Sequence, residues 1–379
     1  MSEYHQRSEE ILTQCGLNGK ADAAMVLADY FEELGDQHML AAALDRAYGL
    51  MPDDAYLQNR RRSVLDSLSV TEHGMHFRYV PSGTFLMGSN SGDVDERPVH
   101  AVRLDYYWIA QRPITWAKFV ELAKWSELPG SVPDLPEGAD RYALFTVANA
   151  NKIRMQYCSN ESAGAMDWHR HAEDTSAIWD EKPMVAIGWQ DADVVCEPIS
   201  HERVQFRLPT EAQWERAARG GLIGAPYCWG HEPPNESICD FNHFGQFYIR
   251  NPMELPANGY GIHGMCGGVW EWTTDIYDSM RYENDRTNDQ THAADSTATN
   301  EQLLSQSLRK LLVAKPNKHQ RVLRGGSWAD GPDAVTVSFR DCARSAPWNS
   351  DSQDGFLAQK PTIGLRLCRF ESPTTNDQE

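Results

Sequence analysis

From Phe77 onward, glycine and proline recur so often that few runs hold a helical or a strand period for more than a handful of residues. That texture fits short strands and short helices joined by many loops, an irregular α+β domain. The chain carries 12 Trp and 12 Phe, with aromatics at 10%. Large rings of this kind bury the area that short elements cannot cover, and some can also stack on a ligand.

The first 70 or so residues read differently. In ADAAMVLADYFEELGD, Ala24, Leu27, Ala28, Phe31 and Leu34 fall at three- and four-residue spacing, and Gly35 supplies a stop. In QHMLAAALDRAYGLMPDD the stripe is Leu40, Leu44, Ala47 and Met51, with Gly49 and Pro52 as terminators. A third helix is expected after Asp53. Residues 1–70 therefore read as a small helical module that resembles a tetratricopeptide unit, too short for a solenoid, which needs about three repeats. It is expected to pack on or recruit a protein partner, and to be removable while the rest folds. The main domain is expected over 74–371, with polar insertions at about 126–180 and 281–319 and a disordered tail at 372–379. The second insertion ends in NEQLLSQSLRKLL, where Leu304, Leu308, Leu311 and Leu312 suit one short amphipathic helix.

At 379 residues with 41% hydrophobic content, the chain can bury a large core. Its formal charge of −19 is not offset by any basic run, which argues against nucleic acid and anionic membranes as partners. The N-terminal MSEYHQRSEE has no apolar core of a signal peptide, and no stretch of about 18 apolar residues occurs, so a cytoplasmic location is expected. Eight cysteines lie scattered without a CxxC pair, so a structural zinc site is not expected and the thiols read as buried or idle.

Ordered sequence blocks carry more information. FRYVPSGTFLMGS is followed by DERPVHAVRLDYYWIAQRPITWAKFVEL, KPMVAIGWQDADVVC, RLPTEAQWERAARGG, NGYGIHGMCGGVWEWTTDIYD, RVLRGGSWAD and finally GLRLCRF. In RLPTEAQWERAARGG, Thr210 is an N-cap, Gln213 completes a capping box, Trp214, Ala217 and Ala218 form a packing face, and Gly220 caps the C-terminus. That segment makes a helix whatever the protein does. Together the blocks, spread over about 290 residues, resemble the formylglycine-generating enzyme or sulfatase-modifying-factor family, whose fold is a variant of the C-type lectin fold.

The resemblance implies a copper-binding cysteine pair after the RGGS motif, and here those positions fall on Asp330 and Val335. Cu(I) is selected by thiolates, so copper is not expected there. The resemblance also implies a calcium site at Gly264, Gly267, Val269 and Glu271, with glycine standing where an Asn side chain is usual; a second calcium site, around Asp240–Gly245, lacks its downstream Asp. The expected function is a binding domain without oxidase chemistry, of the retroelement-diversified kind in one version. Its ligand surface would run over Trp328, Asp330, Asp333, Arg340, Arg344 and Trp348, beside Ser327, for a small-molecule or protein ligand. The alternative is a metal-dependent oxidase or oxygenase acting on a thiol or peptide substrate, with Asp167, His169, His171 and Glu173 as candidate ligands. A third reading keeps formylglycine generation through Cys266 or Cys342 in a shifted loop.

Overall fold

The computed structural model describes residues 21–122, 181–185, 187–244, 249–283, 320–344 and 362–371. The insertion at 126–180, most of 281–319, the tail, Trp348 and the Asp167–Glu173 cluster lie outside the described residues.

Helices α1 (Ala21–Leu34), α2 (Gln37–Leu50) and α3 (Ala55–Leu68) open the chain. They are followed by β1 (Val70–Glu72), β2 (Met75–Val80), β3 (Gly83–Met87), β4 (His100–Leu104) and β5 (Tyr107–Ala110). Next come α4 (Trp116–Leu122), α5 (Asp191–Cys196), β6 (Val204–Arg207) and α6 (Glu211–Arg219). The remaining strands are β7 (Trp270–Ile276), β8 (Gln320–Arg324), β9 (Arg340–Arg344), β10 (Ile363–Gly364) and β11 (Cys368–Glu371). The fold class is α+β.

Asp36 and Asp54 cap α2 and α3 by accepting the Met39 and Leu57 amides at 3.0 and 2.9 Å. Ala24, Leu27, Ala28 and Phe31 are buried as their spacing requires, while Leu34 faces solvent. Gly49 does not end its helix. α2 runs on to Leu50, and a Cβ at position 49 would sit 3.0 Å from the Ile223 side chain, so the glycine permits close approach instead.

Among the described residues three sheets build the domain. The first has the order β1-β2-β5-β11-β6, the second β10-β7-β8-β9, and the third pairs β3 with β4. The last strand lies between β5 and β6, with Cys368 opposite Ile109 on one side and Arg207 on the other. Strand β6 alternates, Val204 and Phe206 inward and Gln205 and Arg207 outward, as a strand with one buried face must. α6 packs against β3, β7 and β8, and Trp214 is fully buried at their junction.

The N-terminal helices hold an apolar cluster of their own, with Leu27, Phe31, Leu40, Leu44 and Leu57, and they also touch the main core. Ala41 and Leu65 belong to the main core, and Trp108 Nε1 donates to the Leu68 carbonyl at 2.8 Å. Buried Arg61 donates to Asp45 at 2.6 Å and to the carbonyls of Gly259 at 2.7 Å and Gly220 at 3.0 Å. The third helix supplies both apolar surface and hydrogen-bond donors to the domain, a seam that removal of residues 1–70 would open.

Candidate functional site

The RGGS turn sets the site. Gly325 and Gly326 have φ of +105° and +70°, and a Cβ on Gly326 would stand 2.6 Å from the Ala334 carbonyl. Only glycine allows the loop to fold back so tightly. Trp328 N donates to the Gly268 carbonyl at 2.9 Å, while Asn242 N and His243 N donate at 2.8 Å to the carbonyls of Asp330 and Trp328. Three segments are thereby stitched into one surface.

Asp330 Oδ2 accepts from Trp270 Nε1 at 2.8 Å, from Ser327 N at 2.9 Å, and from the Ser327 hydroxyl. Val335 is completely buried. The two positions that the resemblance aligns with a thiol pair thus hold a carboxylate that braces the turn and an aliphatic core residue. Neither fits Cu(I).

Two expected ligand-surface residues are corrected. Trp328 is 1% exposed and offers no face to a ligand. Arg340 is buried, donates to Glu211 Oε1 and Oε2 at 2.6 and 3.1 Å, and covers the Tyr282 ring at 4.4 Å. Asp333 and Arg344 are exposed. Missed by the sequence reading were Tyr227 and Trp229, whose rings stack at 5.0 Å, and Phe244, which is 86% exposed beside the anchored His243. Burial and then the Asp333 carboxylate hold the Tyr227 hydroxyl above its ordinary value, which places Asp333 within electrostatic range of the stacked pair. The alternation of aromatics in Tyr227-Cys228-Trp229 was the available signal.

The implied calcium set does not fit. Glu271 is fully buried, and both its oxygens are taken: Arg366 donates to Oε1 at 2.8 Å and to Oε2 at 2.9 Å, and Trp214 Nε1 donates to Oε2 at 2.7 Å. The Gly264 carbonyl accepts from Arg366 at 3.3 Å, and that of Gly267 from Val269 N at 3.1 Å. A guanidinium already supplies the positive charge these groups would offer a cation. Asp240 is the contrasting case. It is buried, its Oδ2 accepts from Arg250 N at 3.1 Å, and its Oδ1 accepts no hydrogen bond. Asp240 lines a void of about 10 Å³ together with Gly264, Gly267 and Val269, about the size of one water. Burial raises its pKa from 3.8 to about 6, against the opposing pull of Arg250, His243 and Lys182. Among the described residues no group of three or more His, Cys, Asp or Glu is placed to share a metal.

Cys266 is buried but not isolated. The Cys228 amide donates to its sulfur at 3.4 Å, and the hydrogen bond the Cys228 thiol makes to Cys266, with burial, pushes that thiol well up. Cys239 donates to the Cys266 carbonyl at 3.3 Å, and burial pushes that thiol up as well. Cys342 stands on β9 opposite Val322, on another sheet position.

Among the described residues no helix is long and apolar enough to cross a membrane. Residues 67–369 match the family described as the sulfatase-modifying factor enzyme 1-like domain. A formylglycine-generating enzyme of Mycobacterium tuberculosis is 29% identical over 303 residues, covering 72% of this chain and 92% of its own. A serine/threonine-protein kinase pkn1 of Chlamydia caviae is 27% identical over 74% of this chain, which spans 37% of that kinase. Among solved structures, Treponema denticola variable protein 1 shares 16% identity over 79% of this chain and 97% of its own, with a TM-score of 0.47. PvdO of Pseudomonas aeruginosa shares 17% over 78% and 94%, with a TM-score of 0.48. With four-fifths of its length inside the family match, the chain belongs to the sulfatase-modifying factor enzyme 1-like family.

Proposed function

We propose that this domain is a non-catalytic binding member of its family, acting in the cytoplasm. The observation that carries the reading is Asp330. Its Oδ2 is spent on Ser327 and Trp270, so the residue at the first thiol position holds the loop in shape instead of presenting a redox group. With Val335 in the core, no thiolate stands where Cu(I) would need one. The stitched loop supports a surface on which Tyr227, Trp229 and Phe244 supply aromatic area and Asp333 a negative charge. Such a surface suits a protein or small-molecule ligand that combines an apolar face with a cation. Incubated with Cu(I) and a Cys-x-Pro-x-Arg peptide, the protein should yield no formylglycine above a blank by mass spectrometry. Appreciable aldehyde would overturn the reading.

The contact between Cys228 and Cys266 favours a second reading, residual thiol oxidase chemistry. The upward-shifted Cys228 thiol weakens it, because the thiolate is the reactive form. Aldehyde that disappears in Cys266→Ser and persists in Cys342→Ser would establish it.

A further inference from the structure

Where α1 and α2 meet the domain, a cleft of about 530 Å³ opens, within the size range of small-molecule sites. Leu27, Phe31 and Met39 line its helical side, and Phe85 and Leu222 its domain side. Leu50, Leu86 and Ile223 stand at its rim with 43%, 47% and 55% of their surface exposed. Large apolar side chains gathered in this way around a concavity mark a binding surface rather than ordinary scatter.

The cleft also carries a charge imbalance. Arg216 lines it and is 4% exposed. Its Nη1 donates to the Gly83 carbonyl at 2.8 Å, its Nη2 lies 3.5 Å from Asp45, and its Nε finds no acceptor. Asp45 is already engaged, accepting from Arg61 Nη2 at 2.6 Å, Arg61 Nε at 3.0 Å and the Tyr260 hydroxyl at 2.8 Å. The adjacent carboxylate of Glu215 is held by Arg219 and Arg324. Two buried guanidinium groups therefore share one carboxylate, and a net positive charge remains in an apolar cleft. Buried charge without a counter-ion is costly, and Arg216, whose Nη2 has Asp45 only at 3.5 Å, is the guanidinium that an anion in the cleft would neutralise.

We propose that this cleft binds an amphipathic carboxylate, its alkyl chain between the N-terminal helices and the Leu222 wall and its carboxylate on Arg216. The site is distinct from the loop surface around Asp330 and does not depend on that reading.

Decanoate is the probe. It should bind the natural protein saturably by calorimetry and raise its melting temperature, as a ligand of the folded state does. Decan-1-ol, which keeps the chain and lacks the charge, should bind roughly tenfold more weakly or worse, as should decanoate to Arg216→Met. Because Arg216 is buried and its loss can disturb folding, Ile223→Glu provides the second variant. That position is more than half exposed but packs on α2 beside Gly49, so a modest fall in melting temperature is expected, while decanoate affinity of the folded variant should fall roughly tenfold through like-charge repulsion and lost apolar contact. Absence of saturable binding, equal affinity for the alcohol, or an Ile223→Glu protein that binds as well as the natural one would each overturn the proposal. Self-association of the natural protein that Ile223→Glu abolishes and decanoate leaves untouched would assign the rim to a second copy, and would overturn it too.

Discussion

Glu271 carries a negative charge into the buried interior, and Arg366 meets it there from the segment before the last strand. Removing one partner of such a pair strands the other, so Glu271→Gln should cost about 3–5 kcal/mol of stability. The loss should be the same in chelator and in millimolar calcium, measured by urea unfolding under both conditions. Stabilisation by calcium that vanishes in the variant would return Glu271 to a metal site. Asp240 is the opposite kind of residue, a buried carboxyl with no Arg or Lys ion pair among the described residues; its Oδ1 lies 3.6 Å from His243 Nε2. Its folded pKa of about 6 lies above the ordinary 3.8, so the folded state holds the proton more tightly than the unfolded chain. The resulting stability is fully present below pH 3.8 and is lost as pH rises through about 6. Asp240→Asn removes that titration, so between pH about 4 and 7 the natural protein should lose up to about 3 kcal/mol relative to the variant. Parallel stability profiles for the two proteins would show that burial does not perturb this carboxyl. Glu211 differs from both. Burial alone would raise its pKa, but Arg340 and Arg324 outweigh burial and hold it below the carboxylate range, so its contribution is lost only toward acid.

At the scale of elements, what could be read in the sequence divides by distance along the chain. α6 was legible to the residue: Thr210 accepts the Gln213 amide at 3.2 Å, Gln213 returns a bond to Thr210 N at 2.9 Å, and Gly220 takes a φ of +59°. All of these contacts close within a few residues, where propensity and capping decide the outcome. The sheets were not legible, because β11 enters between β5 and β6 from the far end of the chain. The same holds for the buried ion pairs. Arg324, Arg340 and Arg366 reach Glu215, Glu211 and Glu271 across 109, 129 and 95 residues. The sequence blocks therefore showed that these charged residues belong to a family pattern without showing that they neutralise one another inside the core. Trp328 illustrates the same limit. Its neighbouring glycines signalled close packing of aromatic rings, yet its burial depends on a loop 60 residues away, where the Gly268 carbonyl accepts from the Trp328 amide. The substitution of Asp330 for a thiol was plain in the sequence, whereas its role as a brace required the position of Trp270.

At the scale of the whole molecule, the contacts across the seam predict that the helices and the domain share one stability. α3 covers one face of β2, and β1, which follows it directly, forms the edge of the five-stranded sheet beside β2. If residues 1–68 were removed, the Gly220 and Gly259 carbonyls would lose the Arg61 donors and Trp108 Nε1 its acceptor. Tyr79 would lose His38, which contacts its hydroxyl at 2.7 Å, and the apolar faces under Ala41 and Leu65 would open to water. Each orphaned buried polar group costs about 1–3 kcal/mol, and the exposed apolar area adds to that, so the total rivals the 5–15 kcal/mol that holds a typical domain together. A chain beginning at Ser69 should therefore be recovered insoluble or with native secondary structure but no fixed aromatic packing, seen as loss of the near-ultraviolet dichroism of its tryptophans. Arg61→Ala in the full-length chain is the gentler version, and it should lower the melting temperature of the helices and the domain together as one transition. Two separate transitions, or a truncated chain that stays monomeric and unfolds cooperatively, would mean that the contacts across the seam close a surface the domain can leave open, and that the N-terminal helices form a module after all.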